Sequence, residues 1–89
     1  APESFSLSQN YPNPFNPTTQ IEFSISKTSN VQLAIYSVDG RLVEVITNTQ
    51  FSAGMHTFKW DSANRASGVY LYRLVVDGVS KTRKMLLLQ

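Results

Sequence analysis

The chain has 89 residues, no cysteine and a formal net charge of +2 from eight basic and six acidic side chains. A chain this short holds one core and buries roughly 60–65% of the surface its unfolded form exposes, so two domains are excluded. Disulfides, thiolate metal sites and a cysteine nucleophile are excluded with them, and the charge is too mild to argue for nucleic acid. No apolar run approaches the ~20 residues of a membrane helix, so no membrane insertion is expected. The start at Ala1-Pro2-Glu3-Ser4 reads as a linker remnant, residues 1–4, of a longer protein, with any export signal lying upstream.

Phe5-Ser6-Leu7-Ser8 alternates apolar and polar residues, which suits a short edge strand. The next stretch is Gln9-Asn10-Tyr11-Pro12-Asn13-Pro14-Phe15-Asn16-Pro17-Thr18-Thr19. Three prolines in six residues forbid helix and ladder pairing. Asparagine side chains can hold the intervening turns by bonding to nearby backbone. A stiff loop is expected, plugged onto the body by Tyr11 and Phe15.

Gln20 to Ser26 alternates cleanly, with Ile21, Phe23 and Ile25 on the core face. A turn at Lys27–Asn30 leads to Val31–Val38, with Val31, Leu33 and Ile35 inward. Asp39-Gly40 reads as a tight hairpin turn. The return strand, Arg41 to Ile46, breaks alternation, because Val43 and Val45 share one face and Leu42 and Ile46 the other. A bulge that switches the face would account for this. Thr47 to Gly54 reads as a loop. Met55 to Trp60 is a strand with His56, Phe58 and Trp60 on one face. Asp61 to Ser67 is a loop.

The last third is a hairpin, with strands on either side of Asp77-Gly78. Tyr70, Tyr72, Leu74 and Val76 share one face; Val69, Leu71, Arg73 and Val75 share the other. Arg73 places the first set inward. The outward set is still more apolar than a solvated sheet face usually is. The closing run, Lys81 to Gln89, ends in Met85-Leu86-Leu87-Leu88, which is apolar on both faces. Seven short strands at a spacing of about 8–12 residues, with no helical period, predict an all-β fold. The expected form is an immunoglobulin-like antiparallel β-sandwich over residues 5–89, with Phe23, Phe58, Trp60, Tyr70 and Tyr72 filling its centre.

Catalytic chemistry is not legible. The single histidine, His56, sits in a strand and is expected to bond to a loop rather than act as a base. Asp39, Asp61 and Asp77 are isolated, and two of them occupy tight turns where aspartate is favoured for backbone reasons. No cofactor is implied, and calcium held by loop carbonyls is only a minor alternative. Two binding readings remain. One is carbohydrate binding on Tyr11, Phe15 and Tyr36, if exposed. The other is recognition of the terminal strand, by strand addition at an open edge or through its basic residues. An open edge also leaves a strand-swapped dimer as an alternative.

The ordered set of motifs is similar to a known family. Asn10, Pro12, Asn13, Pro14, Phe15, Asn16 and Pro17 open it. It continues through Ile35 to Arg41, Ala53 to His56 and Trp60-Asp61. It closes on Gly68-Val69-Tyr70 and Thr82 to Leu88. Together these resemble the type A C-terminal sorting domain of the type IX secretion system. The resemblance implies an immunoglobulin-like, non-catalytic signal at the end of a cargo protein, which crosses the outer membrane and is then usually cleaved off. It implies an outer-membrane translocon and a sortase-like peptidase as partners, beside the upstream cargo domain. It places recognition on Lys81, Arg83, Lys84, Met85, Leu86, Leu87 and Leu88. It also implies a route through the periplasm to the cell surface or beyond. The immunoglobulin-like module of flagellar hook-capping proteins shares the opening and the Ser-Gly-Val-Tyr strand, and would make the domain a passive spacer.

Overall fold

The structure is a computed structural model that describes residues 5–89. The linker reading of residues 1–4 lies outside the described residues. Seven strands follow in order: β1 Phe5–Leu7, β2 Thr18–Ile25, β3 Ser29–Ser37, β4 Leu42–Phe51, β5 Gly54–Asp61, β6 Gly68–Val76 and β7 Val79–Leu87. They form two antiparallel sheets, ordered β1-β2-β5 and β4-β3-β6-β7. The chain therefore changes sheet after β2, β4 and β5. The described residues form the expected all-β sandwich.

Alternation sorts the side chains as pleat geometry requires. Ile21, Phe23, Ile25, Val31, Leu33 and Ile35 are all buried, as are Tyr72, Leu74 and Val76 across the β3–β6 ladder. Trp60 is buried beside Phe15, with ring centroids 5.9 Å apart. Phe58 and Tyr70 are half-buried at the margin of the core rather than in its centre.

The two Asp-Gly turns differ. Asp77 and Gly78 both have positive φ, at 48° and 86°, which is the two-residue turn that matches strand twist. At the other turn only Gly40 is positive, at 89°, and its N–H donates to Ser37 O at 2.9 Å. The turn residues there are Val38 and Asp39, and Gly40 takes the bulge position after them. The Ser37 hydroxyl donates to the Asp39 carboxylate and holds its pKa below the usual carboxylate value.

β4 departs most from the sequence reading. Its pairing with β3 slips twice, between Leu33 and Ala34 and between Ile35 and Tyr36. The bulged register puts Val43 and Ile46 against the core and leaves Leu42 and Val45 exposed. The residues Thr47–Phe51 are strand, not loop; only Ser52 and Ala53 separate β4 from β5. This half of β4 is a sheet edge with polar residues on both faces, so it lacks the alternation that marks a strand. It still delivers Phe51, whose ring stands edge-on to Phe23 and Phe58 at 5.9 and 5.8 Å.

The proline-rich segment, residues 8–17, is held by a buried polar network. Peptide bonds Tyr11-Pro12, Asn13-Pro14 and Asn16-Pro17 are cis. The Tyr72 hydroxyl, on β6, donates to Ser8 O at 2.7 Å and accepts from the Asn10 N–H at 2.8 Å. Asn10 Nδ2 donates to Pro12 O and to Thr19 Oγ1, and Thr19 in turn donates to Pro12 O at 2.9 Å. No buried side-chain polar atom among the described residues lacks a partner. Burial raises the Tyr72 pKa above the ordinary tyrosine value.

Replacing Tyr72 with Phe leaves the Asn10 N–H and Ser8 O without their partner, an expected loss of about 1–3 kcal/mol in urea unfolding. A raised folded pKa in an acid means that the unfolded chain loses its proton first. The contribution of Tyr72 to stability is therefore complete below about pH 10 and is lost as pH rises through the folded value. Tyr72→Phe lacks that part of the alkaline decline, which unfolding series at about pH 8 and about pH 11 measure.

Candidate recognition surface

The candidate site is β7 and the segments that border it. Alternation divides its residues. Met85 and Leu87 enter the core at 1% and 0% exposure, while Leu88 is 51% exposed and Leu86 is half-buried on the opposite face. Lys81 and Arg83 lie on the same side as Met85 and Leu87, but near the open margin of the sandwich. There the facing sheet offers only the short β1. The two cations reach sideways to it: Lys81 Nζ donates to Phe5 O at 2.9 Å, and Arg83 Nε to Leu7 O at 2.7 Å. Lys81 also lies over the Phe5 ring, 4.9 Å from its centroid. Long cationic side chains suit this position because their stems bury while their heads reach polar groups. An open groove between β1 and β7 is lined by Ser6, Leu7, Lys81, Thr82 and Arg83.

The outer edge of β7 is largely occupied. Gln9 Nε2 donates to Lys84 O at 2.7 Å. Asn13 Oδ1 accepts from the Leu86 N–H at 3.0 Å. Phe15 forms a parallel bridge with Leu87: its N–H donates to Leu86 O and its C=O accepts from the Leu88 N–H, both at 3.0 Å. The proline-rich segment thus serves as a short extra strand over this edge. Strand addition by another chain would have to displace it between Lys84 and Leu88. Gln89 closes the end, with its amide donating to Arg65 O at 2.6 Å and its N–H to Ser67 Oγ at 2.9 Å.

The other signature residues take distinct places. Phe15 is buried, as expected, but Tyr11 is not a plug: it is 79% exposed. Pairing of Tyr11 with Gln20 through two backbone hydrogen bonds turns its ring outward. Pro14 and Asn16 are exposed. Pro17 O accepts from both the N–H and the hydroxyl of buried Ser62 at 2.9 Å. Gly68 has φ +149°, which L side chains rarely adopt. Val69 points outward opposite Leu86, and the Tyr70 hydroxyl donates to Ala66 O at 2.7 Å.

His56 bonds Ser52 O at 2.8 Å and packs on Phe23 and Phe51, the structural role expected of it. Of the three aromatics considered for sugar binding, Phe15 is buried and Tyr36 lies under the Arg73 guanidinium at 5.2 Å. Tyr11 alone stands out. Two features had no sequence signal. One is the Glu44 carboxylate, which accepts from Trp60 Nε1 at 3.0 Å and lies 3.8 Å from Arg65. The other is the tether at Gln89. Both join residues far apart in the chain.

Two measurements check this division of the apolar tail. Leu87→Ala is expected to cost about 2–5 kcal/mol and Leu88→Ala no more than about 0.5 kcal/mol in denaturant unfolding. Asn13→Ala removes the acceptor of the Leu86 N–H, worth about 1 kcal/mol. Exchange of that amide is expected to quicken roughly fivefold, with global stability changed by less than the Leu87 variant changes it.

A family profile described as "secretion system C-terminal sorting domain" matches residues 9–88. That match spans the proline-rich segment, both sheets and the apolar part of β7. A search of curated proteins gave no match. With its sandwich fold and a profile match over nearly the whole chain, the protein belongs to the family of C-terminal sorting domains of the type IX secretion system.

Proposed function

We infer that the domain is a non-catalytic address that directs an attached cargo across the outer membrane by the type IX system and is then removed. The observation that carries this reading is the family match over residues 9–88. The β6–β7 hairpin is the part proposed to meet the translocon, through Lys81, Arg83, Lys84, Met85, Leu86, Leu87 and Leu88. A partner that reads the folded domain reaches Lys84, Leu86 and Leu88 directly. Contact with Met85 and Leu87 requires β7 to leave the core, because both are fully covered. A sortase-like peptidase would cut upstream of β1, where the chain enters the fold. The cargo's destination on this reading is the cell surface or the medium, reached through the periplasm.

The test is a periplasmic reporter expressed in a host that has the system, with and without this domain at its C-terminus. Surface or medium reporter is expected to rise at least tenfold with the domain, and only in cells with an intact translocon. Equal retention of both reporters in the periplasm would sink the proposal.

A further inference from the structure

The outer faces of the two sheets differ in chemistry. On the three-stranded sheet the outward pairs are Gln20 with Lys59, Glu22 with Thr57, and Ser24 with Met55. That face is polar apart from Met55. On the four-stranded sheet one row crosses all four strands as Leu42, Tyr36, Leu71 and Lys84. The neighbouring row pairs Val69 with Leu86. Leu42 is 53% exposed, Val69 38% and Leu88, just beyond, 51%. Arg73 joins this field from the next row, opposite Ala34 and Thr82, with its guanidinium over Tyr36. These rows carry two cations and no carboxylate.

We propose that this outer face of the β4-β3-β6-β7 sheet is a docking surface for a protein of the export machinery that presents an apolar patch edged with carboxylates. The proposal rests on the export reading above and narrows its contact from the whole β6–β7 hairpin to the outer face of the sheet, extending it across β3 and β4. The edge is closed between Lys84 and Leu88 by Gln9, Asn13 and Phe15, whereas on the face Leu42, Val69 and Leu88 are exposed and Tyr36, Leu71 and Leu86 half-buried. A contiguous apolar field edged by like charges marks an interaction site, and its cations select an acidic partner. A second copy fits poorly, because it brings two further cations and no carboxylate to the same interface. A lipid surface fits poorly, because the two cations of these rows fall short of the cluster of about 4–8 that holds a protein on anionic lipid. The position suits an attached cargo. The preceding chain enters at Phe5, beside Lys81, and Leu86 lies about 17 Å further along β7 at ~3.3 Å per residue.

The experiment uses the reporter fusion in the type IX host, with four double variants. Leu71→Thr with Leu86→Thr removes the apolar field with a residue that strands accept. Arg73→Glu with Lys84→Glu reverses the charges, and Arg73→Lys with Lys84→Arg preserves them. Glu22→Thr with Lys59→Thr is the control on the other sheet. Thermal melting of each purified domain establishes that it folds. At least a tenfold fall in exported reporter is expected for the first two variants, at least a fivefold recovery over the Glu pair for the charge-preserving pair, and less than a twofold change for the control. If wild type is exported and the Glu pair, folded, is exported within twofold of it, the docking surface is wrong and the export reading stands. If wild type itself is not exported, the export reading fails, and the surface with it. Two further outcomes overturn the proposal. One is a dimer in sedimentation that the Thr pair dissolves. The other is adsorption to vesicles with 30% anionic phospholipid that the Glu pair abolishes.

Discussion

The fold depends on one phenol. Tyr72 sits at the centre of the four-stranded sheet, and its ring is fully buried. Its hydroxyl meets two backbone groups of the proline-rich segment, Ser8 O and the Asn10 N–H. Prolines cannot donate to a ladder, so backbone pairing holds this segment only at single points, Ser8, Tyr11 and Phe15. Side chains do the rest: Tyr72 from one sheet, Thr19 from the other, and the segment's own Asn10 between them. Each member of the network satisfies another, which is the condition under which polar groups are tolerated in a core.

Once fixed, the segment protects the sheet. Asn13 and Phe15 occupy the edge groups of Leu86 and Leu88 that an ordinary edge strand would leave open. Further along β7, Lys81 and Arg83 turn inward and bond β1 carbonyls. Inward-pointing charge and a covering loop are two known ways of preventing edge-to-edge association. Here both are applied to one strand. The result is a strand whose apolar half is closed at its edge and exposed on its outer face.

Much of this was legible in the residues. Strict alternation in β2, β3 and β6 placed Ile21, Phe23, Ile25, Val31, Leu33, Ile35, Tyr72, Leu74 and Val76 correctly, because one face of each strand is buried and a slip would expose it; Tyr70 shares that face but lies at the margin of the core. The irregular pattern Leu42 to Ile46 announced a bulge, which the register of β4 contains. Thr47 to Gln50 gave no such signal. That half of β4 sits on an edge and packs little, so hydrophobic pattern has nothing to report there. Tyr11 misled for a related reason. Aromatic character favours burial, but local pairing with Gln20 decides which way the ring points. The apolar ending Met85 to Leu88 was ambiguous in sequence between core and exposed tag. Alternation resolves it into both, with Met85 and Leu87 inside and Leu88 outside.

The bonds between β1 and β7 have a mechanical meaning. Any chain ahead of Phe5 transmits its pull to the domain through β1, which has only three residues and one paired neighbour, β2. A pull along the strand loads its ladder bonds together, in shear, rather than one after another. Lys81 and Arg83 add two struts that run from the same carbonyl edge to the other sheet. Tension applied at Phe5 is thereby shared between both layers of the sandwich instead of falling on the β1–β2 ladder alone.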